Sequence, residues 1–316
     1  MVQFISFGAN LPTIPPLGIG TWQWGDSLFW SYGKDYGEAQ VKEAFDATIA
    51  SGVDFFDTAE IYGLGESEKL LGRFMKQTDR PIQIATKYMP LPWRFSAQSV
   101  HEAVSDSLKR LQIEQIALYQ VHMPFDFFMS KKTLMEALAE EVKRGRIATI
   151  GVSNYSAEQM REAHGYLAAK GVPLAVNQVR HSLITRQIET NGIFNTARDL
   201  GVKILAYSPL AQGLLTGKYT PENADSVTGV RKLDSRFSRQ GLEKLAPVLN
   251  LMREIGQKHD KTPAQVALNW LITQGNVIPI PGAKNADQAR QNAGALGWSL
   301  DPDEFTKLDL ITRDRR

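Results

Sequence analysis

The chain has 316 residues, 43% of them apolar and 22% charged, which suits a globular protein large enough for one α/β barrel or two ordinary domains. Its net charge of +2 offers nucleic acid or an anionic membrane no attraction, and the absence of cysteine excludes disulfides, thiolate metal sites and a catalytic thiol. The N-terminal stretch has no signal-peptide pattern and no run approaches 18 apolar residues, so a cytoplasmic protein with no membrane span is expected.

In chain order, "MVQFISFGANLPTI" reads as a short β-hairpin. "LGIGTW" is the first strand, and a long aromatic loop, residues 23–37, follows it. "FFDTA" drives a second strand into Asp57, with Tyr62 in the next loop. Gly63-Leu64-Gly65 reads as a turn before a helix at Glu66. "IQIATK" ends at Lys87, and the loop 88–96 carries Trp93 and Phe95. Val100, Val104, Leu108 and Leu111 share one helix face. "IALYQVH" ends at His122; the helix through Leu134, Leu138 and Val142 stops at Gly145. "IATIGVSN" precedes Ser156 and Gln159, a capping box. "LAVNQV", "KILAYS" and "VIPIPG" are the last three strands, and Asn285 with Gln288 opens a late helix. Most of these runs are continuously apolar, as parallel strands are when both faces are buried.

The polar residues at the strand ends are evenly placed. Trp22, Asp57, Lys87, His122, Ser153, Gln178 and Tyr207 follow at intervals of 35, 30, 35, 31, 25 and 29, and Pro281 comes 74 residues later. This spacing predicts a single (β/α)8 TIM barrel spanning 1–316, with a long loop after strand 7; a doubly wound open sheet is the rival. In such a barrel the strand C-termini share one cavity.

Asp57, Lys87, His122 and Tyr62 then converge. Each alone has a structural explanation: a cap, a salt bridge, a satisfied histidine, a packed ring. Together they describe acid catalysis. An ordinary tyrosine titrates near 10, and an adjacent ammonium lowers that value. Lys87 supplies the ammonium, and Asp57 keeps it charged. His122 orients a carbonyl oxygen and Tyr62 protonates it. The hydride comes from a nicotinamide or flavin.

"GTW" (20–22), "DTAEIYG" (57–63), "TK" (86–87), "YQVH" (119–122), "GVSN" (151–154), "NQV" (177–179), "YSPLAQGLLTGKY" (207–219) and "IPIPGAKNADQARQNAGAL" (278–296) resemble the aldo-keto reductases along nearly the whole chain. The resemblance implies NADPH/NADP+ bound without a Rossmann domain, and a catalytic tetrad of Asp57, Tyr62, Lys87 and His122. It places Ser153, Asn154 and Gln178 on the nicotinamide carboxamide and Tyr207 against the ring, with Gly20, Thr21, Trp22 and Asp57 on the near side. Ser208, Pro209, Leu210, Gln212, Gly213, Leu214, Thr216, Gly217 and Lys218 lie along the pyrophosphate. Ile280, Gly282, Lys284, Gln288 and Asn292 meet the adenosine end, with Lys284 on a 2′-phosphate. Gln288 stands where many relatives carry Arg.

Trp22, Trp24, Tyr62, Trp93 and His122 are the expected substrate contacts, for an apolar or aromatic small-molecule carbonyl. No metal is expected, and a monomer or weak homo-oligomer fits the composition. A lysine aldolase using Lys87 and a regulatory relative of channel-associated β subunits are the competing functions.

Overall fold

The computed structural model describes residues 4–7, 13–227 and 229–315. The apolar runs become eight parallel strands, hydrogen-bonded in chain order. They are β1 (Ile19–Gly20), β2 (Phe55–Asp57), β3 (Gln83–Tyr88), β4 (Ile116–Val121), β5 (Ile147–Ser153), β6 (Leu174–Arg180), β7 (Lys203–Tyr207) and β8 (Val277–Pro279). The helices are α1 (Ser27–Trp30), α2 (Glu38–Ala50), α3 (Glu66–Met75), α4 (Ala97–Leu111), α5 (Lys131–Lys143), α6 (Ala157–Ala168), α7 (Ile193–Asp199), α8 (Arg239–His259), α9 (Pro263–Thr273), α10 (Ala286–Ala293) and α11 (Pro302–Ile311).

The sheet closes on itself. Gly18 and Gly20 donate their N–H groups to the carbonyls of Pro279 and Pro281 at 3.1 and 3.0 Å, and Gly20 bridges to Gly282. Outside this seam α10 packs on α2. Two cores result, which is why the strands read as unbroken apolar runs. Ile19, Phe56, Ile84, Tyr119, Ile150 and Ile204 face the helices. Phe55, Ala85, Leu118, Val176, Leu205 and Ile278 fill the barrel. Phe7 and Ile14 plug the lower end, where Ile5 and Ile14 exchange both backbone hydrogen bonds at 2.8 Å. The turn of the expected hairpin lies outside the described residues.

Side chains alternate along a strand, so the residues two positions beyond the barrel filling also point inward. Those residues are Asp57, Lys87, Gln120, Gln178, Tyr207 and Ile280. The polar layer thus sits directly above an apolar one.

The expected long flap after strand 7 is shorter than its spacing suggested. Half of the interval is helix: α8 and α9 fill residues 239–273, and the loop proper is 208–238. Trp22 and Pro281 stand just beyond β1 and β8, and Gln178 stands two residues inside β6. The predicted local signals hold elsewhere. Ser156 and Gln159 cap α6 reciprocally, Gly145 turns left-handed (φ 73°) after α5, and the Asn285 side chain accepts the Gln288 N–H at the start of α10.

Helix α3, which opens just after Tyr62, is pressed onto the end of α4. A methyl group on Gly72 would stand 2.6 and 2.8 Å from the carbonyl oxygens of Arg110 and Leu111. Backbone cannot yield as a side chain does. Gly72→Ala is therefore expected to destabilise the fold by about 1–3 kcal/mol. An unchanged urea midpoint would show that the helices are free to separate.

Candidate active site

Asp57 is the centre of the polar layer. Its Oδ1 accepts a hydrogen bond from Lys87 Nζ at 2.5 Å. Its Oδ2 accepts from Gln120 Nε2 at 2.9 Å and Gln178 Nε2 at 2.7 Å. Lys87 is fully buried, and its three donors find three acceptors: Asp57, the Thr58 carbonyl at 2.6 Å and the Tyr62 hydroxyl at 3.4 Å. Burial works against the ammonium, but Asp57 and Tyr62 together more than offset it and hold the Lys87 pKa above the ordinary value.

Tyr62 reaches this layer from a tight turn. Gly63, Leu64 and Gly65 are all left-handed, at φ 55°, 53° and 91°. The ring stacks on Trp22 (centroids 6.2 Å apart) and meets the His122 ring edge-on at 5.7 Å. Its face is partly open to the mouth, while protein surrounds its hydroxyl. Burial raises the Tyr62 pKa; Lys87 pulls it down without overcoming burial. The expectation that Lys87 makes Tyr62 more acidic than an ordinary tyrosine is therefore corrected. Lys87 limits a rise.

His122 follows β4 and donates its backbone N–H to the Tyr88 carbonyl at 2.8 Å. Burial, aided by Lys87, pushes its pKa down to about 3. The ring is neutral at working pH, and its buried Nδ1 has no partner.

A second network lies across the mouth. Ser153 Oγ donates to the Gln178 carbonyl at 3.0 Å, and Asn154 Nδ2 donates to Ser153 Oγ and to the His122 carbonyl at 3.0 and 3.2 Å. Tyr207 donates its hydroxyl to Asn154 Oδ1 at 3.0 Å. Asn154 is itself left-handed at φ 61°. Gln178 commits both N–H bonds, to Asp57 and Gln120, so its side-chain oxygen is what it offers a ligand.

Beyond Tyr207 the backbone is strained. Ser208, Ala211 and Gln212 all have positive φ, between 48° and 57°, followed by Gly213. Three cations, Lys218 and Arg231 from the loop after β7 and Lys284 from the loop after β8, then approach one another. Lys284 Nζ lies 5.2 Å from the Trp30 ring and 4.4 Å from the Tyr36 ring, and Arg231 covers Trp30 at 5.7 Å. Burial, and the charges of Arg231 and Lys218, lower the Lys284 pKa. The buried Trp30 indole N–H has no partner. A surplus of positive charge beside an unpaired donor fits phosphate groups.

Other expected contacts take different places. Trp24 is fully buried against Phe56 and Phe74, with its indole N–H on the Ala283 carbonyl, so it belongs to the core and not to a substrate wall. Thr21 is buried, with its hydroxyl on the Asp57 carbonyl and on Ser67. Leu214 is buried and Leu210 packs on the same core. Pro209 and Ile280 are buried, and Gly20 and Gly282 form the barrel seam. Gln288 and Asn292 brace their own loop, on the Lys284 N–H and the Gly282 carbonyl. Thr216 bonds the Gly213 carbonyl and the Lys218 N–H, and Gly217 turns left-handed at φ 76°. Trp93 and Phe95 are exposed on a loop pinned by Arg94 to Glu60, and Trp22 is half-exposed.

Sequence reasoning missed Gln120, although its place two residues before His122 puts it on the same strand face. It also missed Gly151, where a methyl would lie 2.9 Å from the Gln120 side chain. Arg231, and the exposed Phe125, Phe127 and Phe128 after β4, gave no local signal.

The Aldo/keto reductase family model matches residues 16–313. The chain belongs to the aldo-keto reductase family. This aldo-keto reductase is 37% identical to the chloroplastic pyridoxal reductase of Arabidopsis thaliana, over 96% of its own length and 84% of the relative's. Among solved structures it is similar to the glycerol dehydrogenase AKR11B4 of Gluconobacter oxydans, with a TM-score of 0.84, 27% identity and coverage of 99% and 95% of the two chains. It also resembles an aldo-keto reductase of Klebsiella pneumoniae in complex with NADPH, at a TM-score of 0.76, 25% identity and coverage of 99% and 95%. The family makes this chain an oxidoreductase. Among its described residues no helix is long and apolar enough to cross a membrane.

The neutral His122 has a consequence for stability. Unfolded histidine titrates near 6.5, so between pH 6.5 and about 3 the unfolded chain binds the extra proton. Stability contributed by His122 is thus lost as pH falls through that window, by at most about 1.4 kcal/mol per pH unit. Urea melts at pH 7 and 4.5 should show a smaller pH difference for His122→Asn than for the wild type. Equal differences would mean that His122 is protonated in the fold.

Proposed function

We propose that this aldo-keto reductase acts as one domain that reduces aldehydes and ketones to alcohols, with NADPH as cofactor and Tyr62 as general acid. The observation that carries the proposal is the unbroken line of contacts Asp57–Lys87–Tyr62, with the neutral His122 beside it. When bound, the nicotinamide supplies hydride to the carbonyl carbon. His122, as an uncharged imidazole, donates one hydrogen bond to the carbonyl oxygen. Tyr62 donates a second and delivers its proton as negative charge grows on that oxygen. The Lys87 ammonium, 3.4 Å from the phenol oxygen, stabilises the phenolate that is left. Asp57 keeps that ammonium protonated throughout.

Asn154 and the Gln178 oxygen would hold the nicotinamide carboxamide, with Tyr207 against the ring. The strained loop from Ser208 and the cations Lys218, Arg231 and Lys284 would hold the phosphates, with Lys284 toward a 2′-phosphate. The NADPH complex of the Klebsiella relative supports this cofactor. The exposed aromatics Trp22, Trp93, Phe125 and Phe128 favour an apolar or aromatic carbonyl, a class to which the Arabidopsis relative's pyridoxal belongs. A Schiff-base aldolase needs a neutral amine. Lys87 is held charged, with all its donors engaged, so that alternative loses its nucleophile.

Wild-type turnover of 4-nitrobenzaldehyde with NADPH is the primary test, and its absence would overturn the proposal. Tyr62→Phe should lower kcat by on the order of 10²–10⁴ and leave NADPH affinity within a factor of about two. Lys87→Met should lower kcat as well and move the alkaline limb of the pH profile upward, because the phenol loses the charge that restrains its pKa; an unmoved limb counts against the coupling. Arg231→Ala should weaken NADPH binding about tenfold in fluorescence titrations at low salt, with the difference shrinking at high salt.

A further inference from the structure

A pocket of about 540 Å³ opens beside Asn154 and Tyr207, between the loop after β6 and the end of the loop after β7. Asn154 and Tyr207, proposed above to meet the nicotinamide, form one edge of it; its other lining residues have no part in the reduction chemistry above. One side of it is aliphatic, formed by Val179, Ile184, Ile188 and Ile193, and polar side chains make the rest. Arg180, the last residue of β6, lines it. Arg180 pairs in register with Tyr207 and lies two residues beyond Gln178, so it shares the inward strand face at the level of the mouth.

The charge in this pocket is unbalanced. Asp234 binds Arg236 through both oxygens, at 3.0 and 2.6 Å. Glu189, on the loop after β6, binds Arg186 at 2.7 Å. Among the described residues the Arg180 side chain makes no hydrogen bond and no close ion pair, although its charge is felt by Asp234. Two guanidinium groups, Arg180 and Arg236, therefore face one carboxylate, Asp234. A half-buried guanidinium with no hydrogen-bonded acceptor, set beside an aliphatic wall, matches a carboxylate carried on hydrocarbon. The planar fork binds both carboxylate oxygens, and the aliphatic wall covers the chain.

We propose that this pocket is a subsite for the carboxylate of an apolar oxo acid, with Arg180 as the residue that selects it. The proposal rests on the reading of the chain as a carbonyl reductase and names its substrate class. The reacting carbonyl would sit at Tyr62 and His122, and the acid end at Arg180. Arg180 touches no reacting atom, so it acts on binding and not on the chemical step.

The test compares ω-oxo acids of increasing chain length with their methyl esters, using NADPH and the wild-type, Arg180→Met and Arg180→Lys proteins. At one chain length or more the wild type should favour the acid about tenfold in kcat/KM, through KM. Arg180→Met should lose that preference, and Arg180→Lys should recover part of it. The esters and 4-nitrobenzaldehyde should be reduced alike by all three proteins, which also shows that the variants fold. Equal use of acid and ester at every length, or a preference that survives Arg180→Met, overturns the proposal. So does inhibition by octanoate that depends on Arg180 while acids and esters are used alike, because the pocket then holds a separate acid. If wild-type protein leaves 4-nitrobenzaldehyde untouched, the carbonyl-reductase reading itself has failed, and the two failures are distinct.

Discussion

A carboxylate and an ammonium held away from water inside an apolar barrel set the terms for the rest of this site. Such a pair adds little to stability, because each ion has lost its hydration. It persists only if every lone pair and every proton is met. Asp57 and Lys87 meet that condition through four neighbours: Gln120, Gln178, the Thr58 carbonyl and Tyr62. Gly151 joins the same requirement from the next strand, since a side chain there would occupy the space of the Gln120 stem. The fold carries a costly group where chemistry needs a fixed positive charge.

The phenol depends on this charge in a less direct way than its surroundings suggest. Burial dominates, so Tyr62 holds its proton firmly at rest. A general acid must keep its proton until the substrate oxygen becomes basic. On the proposed mechanism Lys87 matters most at that moment, when the phenolate would appear beside it. The neutral His122 fits that proposal, because a second cation at the mouth would compete with Lys87 for the same phenolate.

The barrel was legible because parallel strands buried on two faces leave continuous apolar runs, and because polar residues end those runs at even spacing. The convergence of Asp57, Lys87 and His122 was legible for the same reason: each breaks such a run. Trp24 was misplaced because an aromatic residue after a strand looks alike whether it turns toward the mouth or under the helices. Its indole N–H on Ala283 decides that, over 259 residues of separation. The direction of the Tyr62 pKa was out of reach because it is a difference between burial and a nearby charge. Neither magnitude appears in a string of letters. Arg231 stayed hidden because its partner Trp30 ends α1, far earlier in the chain, and no periodicity links the two segments.

The convergence of Lys218, Arg231 and Lys284 has an energetic meaning for the protein as a whole. Like charges brought together raise the free energy of the unliganded state, and Trp30 and Tyr36 shield them only in part. The molecule is therefore sprung at this point. A polyanion arriving there, as proposed for the cofactor, would release that tension and join the segments near residues 30, 220 and 284. Loading of the cofactor and stiffening of the rim would then be a single thermodynamic event, although those segments share no secondary structure.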